Sequence, residues 1–190
     1  MRRGGVLLAM LQMFLAARPI VRVVAVVISL WPTKTLAAGD PAPPTGIEIL
    51  AGQFPAPDTP FADEHAAVTA IKDFRGKIVI LNLWATWCAP CVREMPSLER
   101  LAARLPSDRF AVIAVSQDKG GVAIAKPFLE RIGVRRLPLY VDPNGRVSRD
   151  LGVRGFPTTI LIAQNGTVLA RLEGPAEWDS DEIIAYLLSL

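Results

Sequence analysis

The sequence predicts an α/β domain in which helices cover both faces of a central mixed β-sheet. Three observations carry that expectation. Apolar runs at residues 78–84, 110–116 and 137–141 read as buried strands, and stretches with helical character separate them. Gln164-Asn165-Gly166, flanked by strand-like runs at 158–163 and 167–173, is a strong hairpin signal. An amphipathic stretch at 179–190, with Trp178 just before it, closes the chain as a helix. The order is therefore β-α-β-α-β-β-α.

The elements follow from the residues in turn. Residues 1–38 hold five basic residues (Arg2, Arg3, Arg18, Arg22, Lys34) and no acidic ones. Behind that charge lies the apolar stretch 23–31, then Pro32 and the small-residue stretch Thr35-Leu36-Ala37-Ala38. This is the pattern of an export signal, with cleavage after Ala37 or Ala38, and a cleaved signal is favoured over an uncleaved N-terminal membrane anchor. The stretch is short of the roughly 20 apolar residues of a standard span. Extending it backwards would bury Arg22 and Arg18, at roughly 2.5–3.5 kcal/mol each. A second apolar patch at residues 6–17 leaves Met10 and Met13 open as starts. The segment has no cysteine for lipid attachment. Residues 39–51 are proline-rich and read as a linker, with an ordered domain over 52–190. Residues 61–74 suit a short hairpin or irregular edge, and Arg75-Gly76-Lys77 suits a turn. A helix starts near Cys88 and runs to about Leu105, with Met95, Leu98, Leu101, Ala102 and Leu105 at helical spacing and Pro96 expected to kink it. Residues 121–133 are helical in part, and Asp142-Pro143-Asn144-Gly145 is a turn.

Composition narrows the function. Half of the residues are apolar (51%), ample for a core. The net charge of +3 comes from the first 38 residues, and the remainder carries 16 basic against 18 acidic side chains. That excludes a nucleic-acid footprint.

The only two cysteines, Cys88 and Cys91, stand three positions apart where the apolar run 78–84 gives way to a helix. A closed zinc site needs about four Cys or His ligands, and the chain offers these two and His65. A disulfide closing so short a loop stabilises by only roughly 2 kcal/mol. Disulfide exchange is the reading that remains strongest, and a metal-binding chaperone using the same pair is the alternative. At a helix N-terminus, unpaired N–H groups and the dipole lower a thiol pKa, and a fall from about 8.5 to about 7 makes about half of it thiolate at neutral pH. Cys88 is therefore the candidate nucleophile and Cys91, one turn on, the resolving thiol. Pro90 suits an early helical position. Glu94 is three residues beyond Cys91 on a shared helix face, where it serves Cys91 in proton transfer or is a solvated acid favoured by the dipole. Trp84 reads as core, Trp87 as apolar surface beside the site, and His65 as a surface residue.

The motifs Phe74-Arg75-Gly76-Lys77, Asn82-Leu83-Trp84-Ala85-Thr86-Trp87-Cys88-Ala89-Pro90-Cys91, Arg93-Glu94-Met95-Pro96 and Val153-Arg154-Gly155-Phe156-Pro157-Thr158-Thr159 together resemble the TlpA/ResA branch of exported thiol-disulfide oxidoreductases. The resemblance covers roughly residues 52–190 and implies a thioredoxin fold. It implies catalysis by Cys88 and Cys91 with Glu94 tuning the thiols, and substrate contact through Trp87, Pro90, Phe156 and a cis Pro157. The redox-active Cys88–Cys91 disulfide serves in place of any cofactor or metal. Asn82 stands where classical thioredoxins carry a buried acid, and a buried amide bonded to backbone is the expectation there. The implied partners are cysteine-containing proteins, apocytochromes c or copper-assembly proteins, with a membrane thiol-electron donor. The implied location is the periplasm or the outer face of the cytoplasmic membrane, with a membrane tether if the N-terminal segment is retained. A thiol peroxidase would need its reactive cysteine in a different context, which the chain lacks.

Overall fold

Every side chain of strand β4 (Ile78–Trp84) is buried, and the sheet is built outward from it. The structure, a computed structural model, describes residues 42–50 and 54–190. Strand β1 is Ile47–Ile49, β2 Phe61–Asp63, β3 Val68–Thr69, β5 Phe110–Ser116, β6 Leu139–Val141, β7 Thr158–Ile162 and β8 Val168–Glu173. They form one eight-stranded sheet in the order β1-β8-β7-β4-β5-β6-β2-β3. Strands β4, β5 and β6 are parallel, and every other pairing is antiparallel. The sheet is mixed, as the strand order in the sequence predicts.

The alternation of β4 divides the core. Ile78, Ile80 and Trp84 face one cluster with helix α1 (Ala89–Arg104), helix α2 (Val122–Arg131) and helix α4 (Asp181–Ser189). Val79, Leu81 and Leu83 face a second cluster, whose partners include Phe61, Ile71 of the 3-10 turn Ile71–Phe74, and Val147 and Leu151 at the short helix α3 (Arg146–Asp150). Burying each of these aliphatic side chains stabilises the fold by roughly 1.5–3 kcal/mol. Both faces are covered, though unevenly: three longer helices on one side, a single-turn helix and irregular chain on the other.

Two details depart from the sequence reading. Residues 47–49, inside the proline-rich stretch read as linker, form β1 and pair with Leu172, Arg171 and Ala170 of β8. Order therefore begins before Gly52, because an open edge of β8 accepts a strand that is too short to show a period of its own. Helix α3 follows directly on the turn at 142–145, with Gly145 at φ 62° as its N-cap. Five residues give no helical periodicity to read. Both α1 and α2 run through their internal prolines, Pro96 and Pro127. The signal or anchor expected at 1–38 and the linker up to residue 41 lie outside the described residues. Among those described, no helix is long and apolar enough to cross a membrane.

Leu81 is fully buried in the central strand and Val68 is 77% exposed on the edge strand. Urea unfolding of the oxidised protein should show Leu81→Ala losing about 2–5 kcal/mol of stability, and Val68→Ala changing it by less than about 0.5 kcal/mol.

Candidate functional site

The site forms where β4 ends and α1 begins. The loop Ala85-Thr86-Trp87 is held from below by Asp118, two residues past the end of β5. The Asp118 carboxylate accepts from the Thr86 backbone N–H at 3.0 Å, from Thr86 Oγ1 at 2.7 Å and from Ser116 Oγ at 2.8 Å. Asp118 is buried, so these bonds compensate for its lost hydration. The loop then delivers Cys88 to the N-cap of α1, with extended backbone geometry. Its sulfur accepts from the Cys91 backbone N–H at 3.3 Å. Pro90 occupies the first turn, where a missing N–H costs nothing, and no acidic residue there offsets the positive end of the helix.

Cys88 and Cys91 are joined as a disulfide. Cys88 retains 6% exposure and Cys91 none. An incoming sulfur can therefore meet Cys88 alone. Outside the pair, Trp87 stands 69% exposed. Its ring centroid lies 5.9 Å from that of Phe156. The Phe156–Pro157 peptide bond is cis, the geometry implied by the resemblance. Thr158 Oγ1 donates to Gly155 O at 2.8 Å, bracing the turn that carries these residues. The structure thus gathers Cys88, Pro90, Trp87, Phe156 and Pro157 at one end of the sheet.

Glu94 lies behind this surface rather than on it. It is only 2% exposed, which removes the solvated-acid reading. Its Oε1 accepts from Asn82 Nδ2 at 2.8 Å, and its Oε2 accepts from the Ala176 backbone N–H at 3.1 Å and from Trp178 Nε1 at 3.0 Å. Burial pushes the carboxyl above its ordinary value of 4.5, and the donors from Trp178, Asn82 and Ala176 pull it part of the way back. Asn82 does not bond to backbone as expected. Its amide donates to Glu94 and, at 2.9 Å, to Thr159 Oγ1 of β7, because α1 and β7 bring polar side chains to the amide before any free carbonyl does.

Asp118 and Trp178 are the residues bonded to the candidate site that sequence reasoning missed. Asp118 lies between the strand-like run 110–116 and the partly helical stretch 121–133 and belongs to no motif. Trp178 was noted only for its place before the last helix. His65 is exposed, with Glu64 at 4.0 Å. Among the described residues no three His, Cys, Asp or Glu side chains gather into a group that could hold a metal ion.

The model of the AhpC/TSA family matches residues 53–171. The thiol-disulfide oxidoreductase ResA of Bacillus thuringiensis subsp. konkukian is 32% identical over 132 residues, covering 70% of this chain and 74% of that protein. The thiol:disulfide interchange protein CycY of Rhizobium leguminosarum is 33% identical over 120 residues, 62% of each chain. Among solved structures, a thiol:disulfide interchange protein DsbE from Chlorobium tepidum superposes with a TM-score of 0.63 at 32% identity, covering 73% of this chain and 99% of that one.

The buried carboxyl makes stability depend on pH. The folded protein binds the Glu94 proton more tightly than the unfolded chain, whose value is near 4.5. The cost of ionising Glu94 is thus absent below 4.5, grows as pH rises to the folded midpoint and is constant above it. In the oxidised protein neither cysteine titrates. There the unfolding free energy of wild type minus that of Glu94→Gln should fall as pH rises above 4.5, by up to about 1.4 kcal/mol per unit, and then level off. A difference that rises instead would mean that the donors outweigh burial.

Proposed function

The chain belongs to the AhpC/TSA family and is a thiol-disulfide oxidoreductase of the ResA-like, thioredoxin-superfamily kind, and from that premise we propose that it is exported and reduces disulfides in partner proteins outside the cytoplasm. The observation that carries the chemistry is the asymmetry of the pair: Cys88 caps α1 and remains reachable, while Cys91 is sealed beneath it. The basic, apolar N-terminal segment supports export.

The reaction follows from that arrangement. In the reduced protein the Cys88 thiolate, favoured by the amides at the start of α1, attacks one sulfur of a substrate disulfide. A Cys88–substrate disulfide forms, the substrate S–S bond breaks, and the departing thiolate takes a proton. Cys91 gives its proton to the Glu94 carboxylate and attacks Cys88 Sγ. The second substrate thiolate leaves, two electrons have passed to the substrate, and the Cys88–Cys91 disulfide is closed. Burial makes Glu94 a stronger base than an exposed carboxylate, which suits it to that transfer. A dithiol donor in the membrane then returns two electrons and two protons to the pair.

Trp87 and Phe156 offer an apolar platform on which an extended segment can lie beside Cys88. With Pro90 and the cis Pro157 they form the docking surface we assign. The substrates we infer are proteins that need reduced cysteines in the exported compartment, the cysteines of apocytochromes c or those of copper-assembly proteins. The protein acts in the periplasm or at the outer face of the cytoplasmic membrane, and the N-terminal segment tethers it there if uncleaved.

Insulin reduction with a dithiol reductant, measured by turbidity, tests the activity. Cys88→Ser should fall to background. Cys91→Ser should lose turnover and accumulate mixed disulfides with partner proteins on non-reducing gels. Tight copper or zinc binding without turnover would overturn the reading.

A further inference from the structure

The geometry points to Trp178 as a positioning residue for the thiol chemistry: its indole N–H, beside the backbone N–H of Ala176, holds the Glu94 carboxylate one helical turn from Cys91 and so governs how readily that carboxylate exchanges the proton of the resolving thiol. The inference rests on the role of Glu94 given under Proposed function and extends it to a residue 84 positions away in sequence.

A strip of α1 grips the segment between β8 and α4. Ser97 Oγ accepts from the Trp178 backbone N–H at 3.1 Å and donates to Glu94 O at 2.8 Å. One turn further, Arg100 forms a two-pronged contact with Asp179, at 2.6 and 3.1 Å, and reaches Glu177 at 2.8 Å. Another turn on, Arg104 donates to Asp179 O at 2.6 Å and to Asp181 at 3.0 Å. Exposed ion pairs of this kind add little stability singly. Together they fix the register of the segment on the helix. Trp178 is fully buried among the core side chains, so its ring cannot turn away while the fold persists.

An indole is suited to the place. It fills a core position and carries one donor and no acceptor. The groups meeting Glu94 are few. On its own helix Cys91 stands three residues before it, joined to Cys88 here and a thiol when reduced. From β4 there is Asn82, which also joins Thr159 of β7, and from the segment before α4 there are Ala176 and Trp178. None of these contacts is a charged side chain. The charge state of Glu94 is set by burial against three neutral donors, so removing one donor removes a large part of what stabilises the anion.

The test is the pH profile of Cys91 closure in the mixed disulfide formed between the reduced protein and a small aromatic disulfide, followed in a single turnover. Wild type should show a limb that Glu94→Gln lacks. Trp178→Phe should move that limb upward by about one unit, slowing closure near neutrality by up to about tenfold, and should have no effect in the Glu94→Gln background. A limb unmoved in Trp178→Phe but absent in Glu94→Gln overturns the positioning role and leaves Glu94 in place. A limb that persists in Glu94→Gln overturns the Glu94 role itself, and this inference with it. An equal shift from Trp178→Phe in both backgrounds would show that the ring acts only through the fold. Should Trp178→Phe not fold, the wild-type indole N–H resonance of Trp178 serves: it should titrate with the midpoint of the limb and stop doing so in Glu94→Gln, and a resonance that ignores that midpoint overturns the inference.

Discussion

A helix must do something with the N–H groups of its first turn, and in this protein a sulfur atom receives one of them. Cys88 caps α1, and the Cys91 N–H points at its Sγ from 3.3 Å. That contact places the reactive atom against the positive end of sixteen aligned residues. It also turns the next thiol inward, since Cys91 begins the buried face that continues through Met95 and Leu98. How the helix starts therefore decides which of the two sulfurs is left within reach of solvent. A carboxylate-bearing cap would satisfy the same N–H with more stability and no chemistry. The cost of using sulfur is met by the surrounding fold: β4 is buried along its whole length, and Asp118 ties down the loop that ends at Cys88.

Two buried carboxylates flank this contact and do different work. Asp118 accepts from a backbone N–H and two hydroxyls of one loop and one strand end, and it makes the approach to Cys88 rigid. Glu94 is met by three donors, one from β4 and two from the segment before α4, and burial holds its proton more tightly than in an exposed side chain. The first is a structural clamp. The second is a carboxyl whose burial raises its affinity for a proton, and it faces away from solvent.

How much of this could be read from the sequence depends on distance along the chain. The pair Cys88 and Cys91, the proline in the first turn, the exposed Trp87 beside the buried Trp84, and the strands around them are local patterns, and each is where periodicity and spacing put it. The cis bond before Pro157 followed from resemblance alone, because local physics favours trans. The partners of Glu94 were not legible. Position 94 fixes the helix face, but whether that face meets water or the segment 176–178, 82 to 84 residues later, depends on where β8 releases the chain. Asp118 meets Thr86 across 32 residues and leaves no pattern near either. Strand β1 and helix α3 were missed because three and five residues are too few to display a period.

Asn82 sharpens the argument about proton flow. It lies at the centre of the sheet, fully buried, with its amide nitrogen shared between Glu94 and Thr159. An acid in that position would confront the Glu94 carboxylate at hydrogen-bond distance, and two carboxyls so close titrate as a coupled pair, one of them pushed far upward. An amide donates without titrating. The buried carboxyl on the helix that carries Cys91 then stands alone, and its affinity for a proton answers to three donors rather than to a second charge. That is why a tryptophan from the far end of the chain can matter to a thiol it never touches: where no neighbouring charge dominates, a single N–H is a large share of what decides whether Glu94 is an acid or a base.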